Sequence, residues 1–342
     1  MRPALAALLL AGAACGARTD LGGTHAILSG GGDGGCAPEI VAKDAKGASA
    51  LAVDGETVFW GTVDGLVRMR DASGAVTTLA QGTGTIDSIA VDAQYVYYAM
   101  VGSVRRVPRA GGAPADFVAN AGEPTALALS SSPTLGAGAL YWVDYGQGIA
   151  SGSVHASGQN GGSDLIVPGL DTPGGMAADD DYVYVTASFA DIGGLVYEGP
   201  LFRIDKAGHA KDTLTSNLHE PTSVVIFDKN VYYVEQTGPS GDETGGVRKI
   251  SVAGGAPVTV LDTTGVLPLD VAADASGVYV TELHEMTGTL AKAKPDASAD
   301  VLASTPNAVY GAVRTTPTAI YWTIAWNGSA PSDSASVRKL CK

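Results

Sequence analysis

Beyond the first fifteen residues, no long stretch of the chain shows the three-to-four-residue apolar spacing of an amphipathic helix. Short runs rich in Val, Tyr, Trp, Thr and Ala alternate instead with Gly, Pro, Asp and Ser, which predicts many strands joined by tight turns. Seven runs share an aromatic signature: TVFWGT (57–62), YVYYAM (95–100), ALYWVD (139–144), YVYVTA (182–187), NVYYVE (230–235), GVYVTE (277–282) and AIYWTI (319–324). An apolar run precedes each, such as ALAVD, SIAVD or SVVIFD. A third run follows, such as GLVRMR, GVRKI or SVRKL. After a turn such as RAGG or VAGG comes a fourth, as in APADFVANAG and APVTVLDTTG.

Equivalent positions fall at Asp54, Asp92, Ser130, Asp179, Asp228, Asp274 and Thr316, a spacing of 38 to 49 residues. That is the size of a four-stranded propeller blade. The expected fold is therefore all-β, a seven-bladed β-propeller of antiparallel blades. The seventh blade runs out of chain before its fourth strand. The segment CAPEIVAKDAKG (36–47) has the pattern of a fourth strand, so an N-terminal strand is expected to complete the last blade. In that pairing Cys36 and Cys341 lie at adjacent strand ends, and a disulfide between them is the expected lock. Two unpaired thiols are the alternative.

Residues 1–14, MRPALAALLLAGAA, combine one positive charge with an apolar core and small residues before Cys15, the pattern of a secretory signal too short to span a bilayer. The tetrad GAAC, ending at Cys15, resembles a bacterial lipobox. That resemblance implies lipidation of Cys15 and attachment to the envelope, on either the periplasmic or the surface-facing side. Gly12 departs from the pattern, and an ordinary signal cleaved nearby is the alternative. Residues 15–35 carry the lipobox cysteine and a glycine-rich tether, which leaves 36–342 for the propeller. With Cys15 lipidated, the three cysteines leave an even pair.

The formal net charge of −14 changes the picture in one respect: an acidic body repels nucleic acid and anionic headgroups. No nucleic-acid partner is expected, and membrane contact is expected only through the lipid. A monomer with an unidentified protein or small-molecule ligand is the expected state.

The YW strands, each followed by a strand of G-x-V-x-R type, resemble YWTD propeller repeats and, more loosely, NHL repeats. Tyr141, Trp142, Val143 and Asp144 carry the nearest match, together with Tyr321, Trp322 and Thr323. YWTD propellers have six blades against seven counted here, so no binding residue is transferred. The repeated aromatics are expected to fill the core between blades.

Function in such a ring is expected where connections enter the innermost strands. Those segments place Asp87, Glu123, Thr172, His219, Glu220, Asp270 and Asn307 near one rim, and Trp326, in the polar stretch TIAWNGSAPSDSAS, is expected to be an exposed contact aromatic. Converging carboxylates could hold Ca2+, and a calcium-dependent hydrolase or lactonase at the channel mouth is the alternative to a non-catalytic binding or scaffolding role. A ring of solvated acids is the more ordinary reading. His219-Glu220 and His284-Glu285 could join a metal site, yet no H-E-x-x-H pair, G-x-S-x-G elbow, Walker loop or CxxC occurs. No cofactor and no catalytic residue is assigned. Lengthened loops at SSPTLGAGA, SFADIGGLVYEG and QTGPSGDETGG, the last with Asp242-Glu243, are where specificity would be grafted.

Overall fold

The computed structural model describes residues 37–42, 47–190, 197–237, 245–326 and 336–342. Within the unit Cys36–Lys342 the strands form seven antiparallel sheets, which is the seven-bladed propeller.

Strand β1 (Glu39–Ala42) stands first. Blade one is β2 (Ala48–Asp54), β3 (Thr57–Thr62), β4 (Leu66–Arg70) and β5 (Val76–Gln81). Blade two is β6 (Ser88–Val91), β7 (Tyr95–Met100), β8 (Ser103–Pro108) and β9 (Ala115–Ala119). Blade three is β10 (Pro124–Ser132), β11 (Gly136–Asp144), β12 (Gly152–Ser157) and β13 (Asp164–Leu170). Blade four is β14 (Met176–Ala178), β15 (Tyr182–Thr186), β17 (Tyr197–Asp205) and β18 (Lys211–His219), with the short β16 (Phe189–Ala190) added against β17. Blade five is β19 (Pro221–Phe227), β20 (Asn230–Glu235), β21 (Gly246–Ser251) and β22 (Val258–Asp262). Blade six is β23 (Leu267–Asp274), β24 (Gly277–His284), β25 (Thr287–Ala293) and β26 (Ala299–Pro306). Blade seven is β27 (Ala308–Thr315), β28 (Ala319–Trp326) and β29 (Ser336–Cys341), and β1 pairs antiparallel with β29 as its outer strand.

The chain thus enters the ring as the outer strand of its last blade, as the repeat count requires. Each innermost strand touches the innermost strands of both neighbours, and β27 touches β2, so the ring closes.

The expected disulfide is corrected. No disulfide exists among the described residues. Cys15 and Cys36 themselves lie outside the described residues.

The repeated aromatics are core. Phe59, Trp60, Tyr97, Tyr141, Trp142, Tyr184, Tyr232, Tyr279, Tyr321 and Trp322 are all buried. In blades one, two, three, five and seven two adjacent aromatics on the second strand alternate toward the two neighbouring blades, while blades four and six set valine beside Tyr184 and Tyr279.

In blades two, four and six the aspartate that marks the repeat builds the turn after the inner strand, accepting backbone amides of the following residues. In blade two Asp92 Oδ1 accepts the amides of Gln94 and Tyr95 at 2.7 Å, while Oδ2 accepts Tyr97 Oη at 3.0 Å. Asp179 repeats this in blade four with Asp181, Tyr182 and Tyr184. Burial, with the adjacent Asp92 carboxylate, pushes the Tyr97 phenol up to about 12. The hydroxyl therefore stays protonated and keeps donating.

Candidate functional site

Strand alternation places the connections entering the innermost strands and the turns between second and third strands at one end of the ring, the entry face. First-to-second and third-to-fourth turns lie at the opposite end. Backbone bonds tie the two kinds of entry-face connection together: Gly102 N–H to Gly122 O (2.8 Å), Tyr145 N–H to Glu123 O (3.0 Å), and Gln236 N–H to Glu220 O (3.3 Å).

Most of the candidate residues reach this face, each with its own task. Asp87 is half-buried, and its amide bonds Ala99 O at 2.9 Å. Glu123 accepts Gln147 Nε2 through its carboxylate. Thr172 and Asn307 occupy left-handed turn positions (φ 29° and 56°), and Thr172 donates its hydroxyl to Ser188 O. Glu220 is likewise left-handed (φ 45°), and burial raises its carboxyl above the ordinary carboxylate range.

His219 closes β18, its amide 3.3 Å from Glu235 Oε1 and its Nδ1 3.7 Å from Glu198 Oε1. Arg248 then joins Glu235 (3.2 Å) to Asp262 (2.9 Å). The histidine therefore stands beside carboxylates of blades four and five, next to the Arg248 ion pairs.

Asp270 lies inside β23 rather than on a rim. Its Oδ1 accepts Ser223 Oγ from blade five, and its Oδ2 accepts Val313 N (2.9 Å) and Arg314 Nη1 (2.7 Å) from blade seven. The register puts Ala50, Ser88, Ala126 and Asp270 opposite the fifth residue of the aromatic run in their second strands. Gly175, Ser223 and Ala312 stand just before the regular pairing in the other three blades, where neighbouring inner strands crowd. Crowding explains the small residues: a Cβ on Gly175 would stand 2.2 Å from Thr222 O. Asp270 is the exception in size, and it uses its carboxylate to stitch three blades.

Trp326 is the last residue of β28, paired with Ala308, and not part of a loop. His284 closes β24 and Glu285 sits in the following turn. Asp242 and Glu243 fall outside the described residues. Among the described residues, no three His, Cys, Asp or Glu side chains are grouped so that they could hold a metal ion. The acids enter the face from separate blades and do not converge.

The sequence reading missed the tips of the second-to-third-strand turns. Val63 (50%), Val101 (63%), Ile149 (93%), Phe189 (47%) and Met286 (50%) are exposed on five blades. Ile149 stands on a built loop. Ser151 Oγ accepts Gly148 N and donates to Gly148 O, both at 2.7 Å, while Gly146 N reaches Asp144 Oδ1 at 3.2 Å. The Ala150 amide donates to Asp171. The available signal was YGQGIASG, a lone aliphatic residue among turn formers.

No family profile and no curated protein matches the sequence. The fold is similar to a chain of a nidogen/laminin complex, with TM-score 0.55 and 14% identity over 73% of this chain and 93% of that one. It is also similar to the computationally designed Ika8 protein, with TM-score 0.54 and 13% identity over 87% and 97%. A prolyl endopeptidase gives TM-score 0.55 and 11% identity over 84% of this chain but only 47% of its own length. The shared property is the propeller. At these identities the likeness extends to fold alone.

Proposed function

We propose that the chain is a non-catalytic binding or scaffolding propeller at a bacterial cell envelope, exported as a monomer and held by lipid on Cys15 through the tether of residues 15–35. Its second and third strands resemble those of YWTD and, more loosely, NHL propeller repeats. The observation that carries the binding role is the set of exposed apolar side chains at the second-to-third-strand turns of five blades, Val63, Val101, Ile149, Phe189 and Met286, all on the entry face. Apolar tips on the connections of a rigid ring suit a molecule that holds a partner there.

Export and lipidation are tested by feeding cells an alkyne-tagged fatty acid. The tag should appear on the wild-type chain and vanish in Cys15→Ser, which should leave the membrane fraction. A tag retained in Cys15→Ser overturns the anchor. Binding is tested with calcium chelator present. The protein should keep its melting temperature and its envelope partners, while a large loss of stability on chelation would favour the calcium-dependent hydrolase instead.

A further inference from the structure

Exposed apolar side chains are not scattered over this protein. Among the described residues the large ones fall in two sets. Ile40, Val76, Leu165, Val258 and Val301 sit on outermost strands, the edge every blade shows to solvent. Val63, Val101, Ile149, Phe189 and Met286 sit on the entry face, the first four on four successive blades.

Charge divides along the same axis. The described entry-face connections carry Asp64, Asp87, Glu123, Asp171, Glu220 and Glu285 and no lysine or arginine; in the adjoining strand ends Glu198 pairs across from Phe189, and Arg248 is held by Glu235 and Asp262. Lys43 and Lys46, between β1 and β2, lie outside the described residues. The opposite end mixes signs, with Arg109, Lys206, Lys229, Lys294 and Lys342 set among its aspartates.

The two features interleave. Val63 is followed by Asp64, Phe189 pairs across the strand with Glu198, and Met286 follows Glu285. The Ile149 loop is held by Asp171 through Ala150 and by Glu123 through Gln147. Each of these tips therefore offers an apolar side chain with a carboxylate beside it.

From this we infer that the entry face docks a polypeptide segment of another protein in which lysine or arginine alternates with apolar side chains, an inference that rests on the binding role proposed above. An anionic bilayer is repelled by the acids, and so is the same face of a second copy. A purely basic ligand would leave the apolar tips in water, and a purely apolar one would strip water from the acids without replacing it. The hydrogen-bonded Ile149 loop needs little ordering on binding, so its isoleucine is the strongest anchor.

The test uses fluorescence anisotropy with the full chain and a labelled peptide of about 12 residues alternating lysine and valine, beside glutamate–valine and lysine–serine counterparts. The lysine–valine peptide should bind about tenfold tighter than either counterpart, and weaken as salt rises from about 50 to 500 mM. Ile149→Ser with Phe189→Ser should cost about tenfold in affinity at unchanged melting temperature, since both side chains are exposed. Leu165→Ser with Val258→Ser, on outer strands, should cost nothing. Equal binding of the lysine–serine peptide, equal loss in the outer-strand variant, or no binding below about 1 mM overturns the inference. An envelope partner held equally by the wild type and the Ile149/Phe189 variant overturns the choice of face while leaving the binding role intact.

Discussion

At the scale of single residues, two buried ionisable side chains set a pH signature. Glu282 is 6% exposed at the end of its second strand, with Thr289 Oγ1 at 3.2 Å, and burial raises its carboxyl above the ordinary 4.5. The folded state then keeps this proton longer than the unfolded chain, so its stabilising contribution is complete at low pH and is lost as pH rises through the raised value. Lys206 is 1% exposed. Burial depresses its ammonium to about 8 despite Asp179, Asp180 and Asp181 nearby. Between about 8 and 10.5 the unfolded chain holds a proton that the folded one has released, so stability rises with pH there, by about 3 kcal/mol at most. Urea melts across pH should show Glu282→Gln more stable than wild type at neutral pH, with a flatter acid-to-neutral profile. Lys206→Met should abolish the alkaline rise. Asp270→Ala should cost about 1–3 kcal/mol, because it strands the Val313 amide and the Ser223 hydroxyl between blades. A melt unchanged by that substitution would contradict the stitching role.

At the scale of elements, the residue just after the third strand locks adjacent blades in three places. Arg109 reaches Asp92 O (2.9 Å) in its own blade and Asp54 Oδ2 (2.6 Å) in the blade before. Lys206 donates likewise to Asp179 O and to Ser131 O (2.8 Å). Lys342, the last residue of the sequence, donates to Thr316 O (2.7 Å) and to Asp274. Burial opposes the charge of Asp274, but bonds from Lys342 and Ser276 outweigh it and hold the carboxyl below the ordinary range. Removing Lys342 alone should therefore lower stability by about 1–3 kcal/mol in a thermal or urea melt, far more than loss of a frayed terminus. No motif search marks these cations, since each looks like a surface turn residue until the neighbouring blade is in place.

At the scale of the whole molecule, closure depends on β1. A chain beginning at Cys36 should fold as the full chain does. One beginning at Gly47 leaves the edge of β29 unpaired and uncovers Val337, so it should melt non-cooperatively or aggregate. Matching cooperative melts for the two chains would count against closure by the N-terminal strand. The proposed binding face is also a property at this scale. Val63, Val101, Ile149 and Phe189 share no local motif, and only the ring puts them at one end.

Blade number, strand order and closure were legible in the sequence because every blade must bury an aromatic second strand against both neighbours. That requirement repeats along the chain, from Phe59 and Trp60 to Tyr321 and Trp322. The candidate face was legible only in part. Strand alternation fixes which end a connection occupies, so Glu123, Thr172 and Glu220 could be assigned to it in advance. The partners of Asp270, the contacts around His219 and the cation locks were decided by tertiary structure. Each is a contact between residues tens of positions apart, set by strand register and blade spacing, and neither quantity is written in a local pattern of apolar and polar residues.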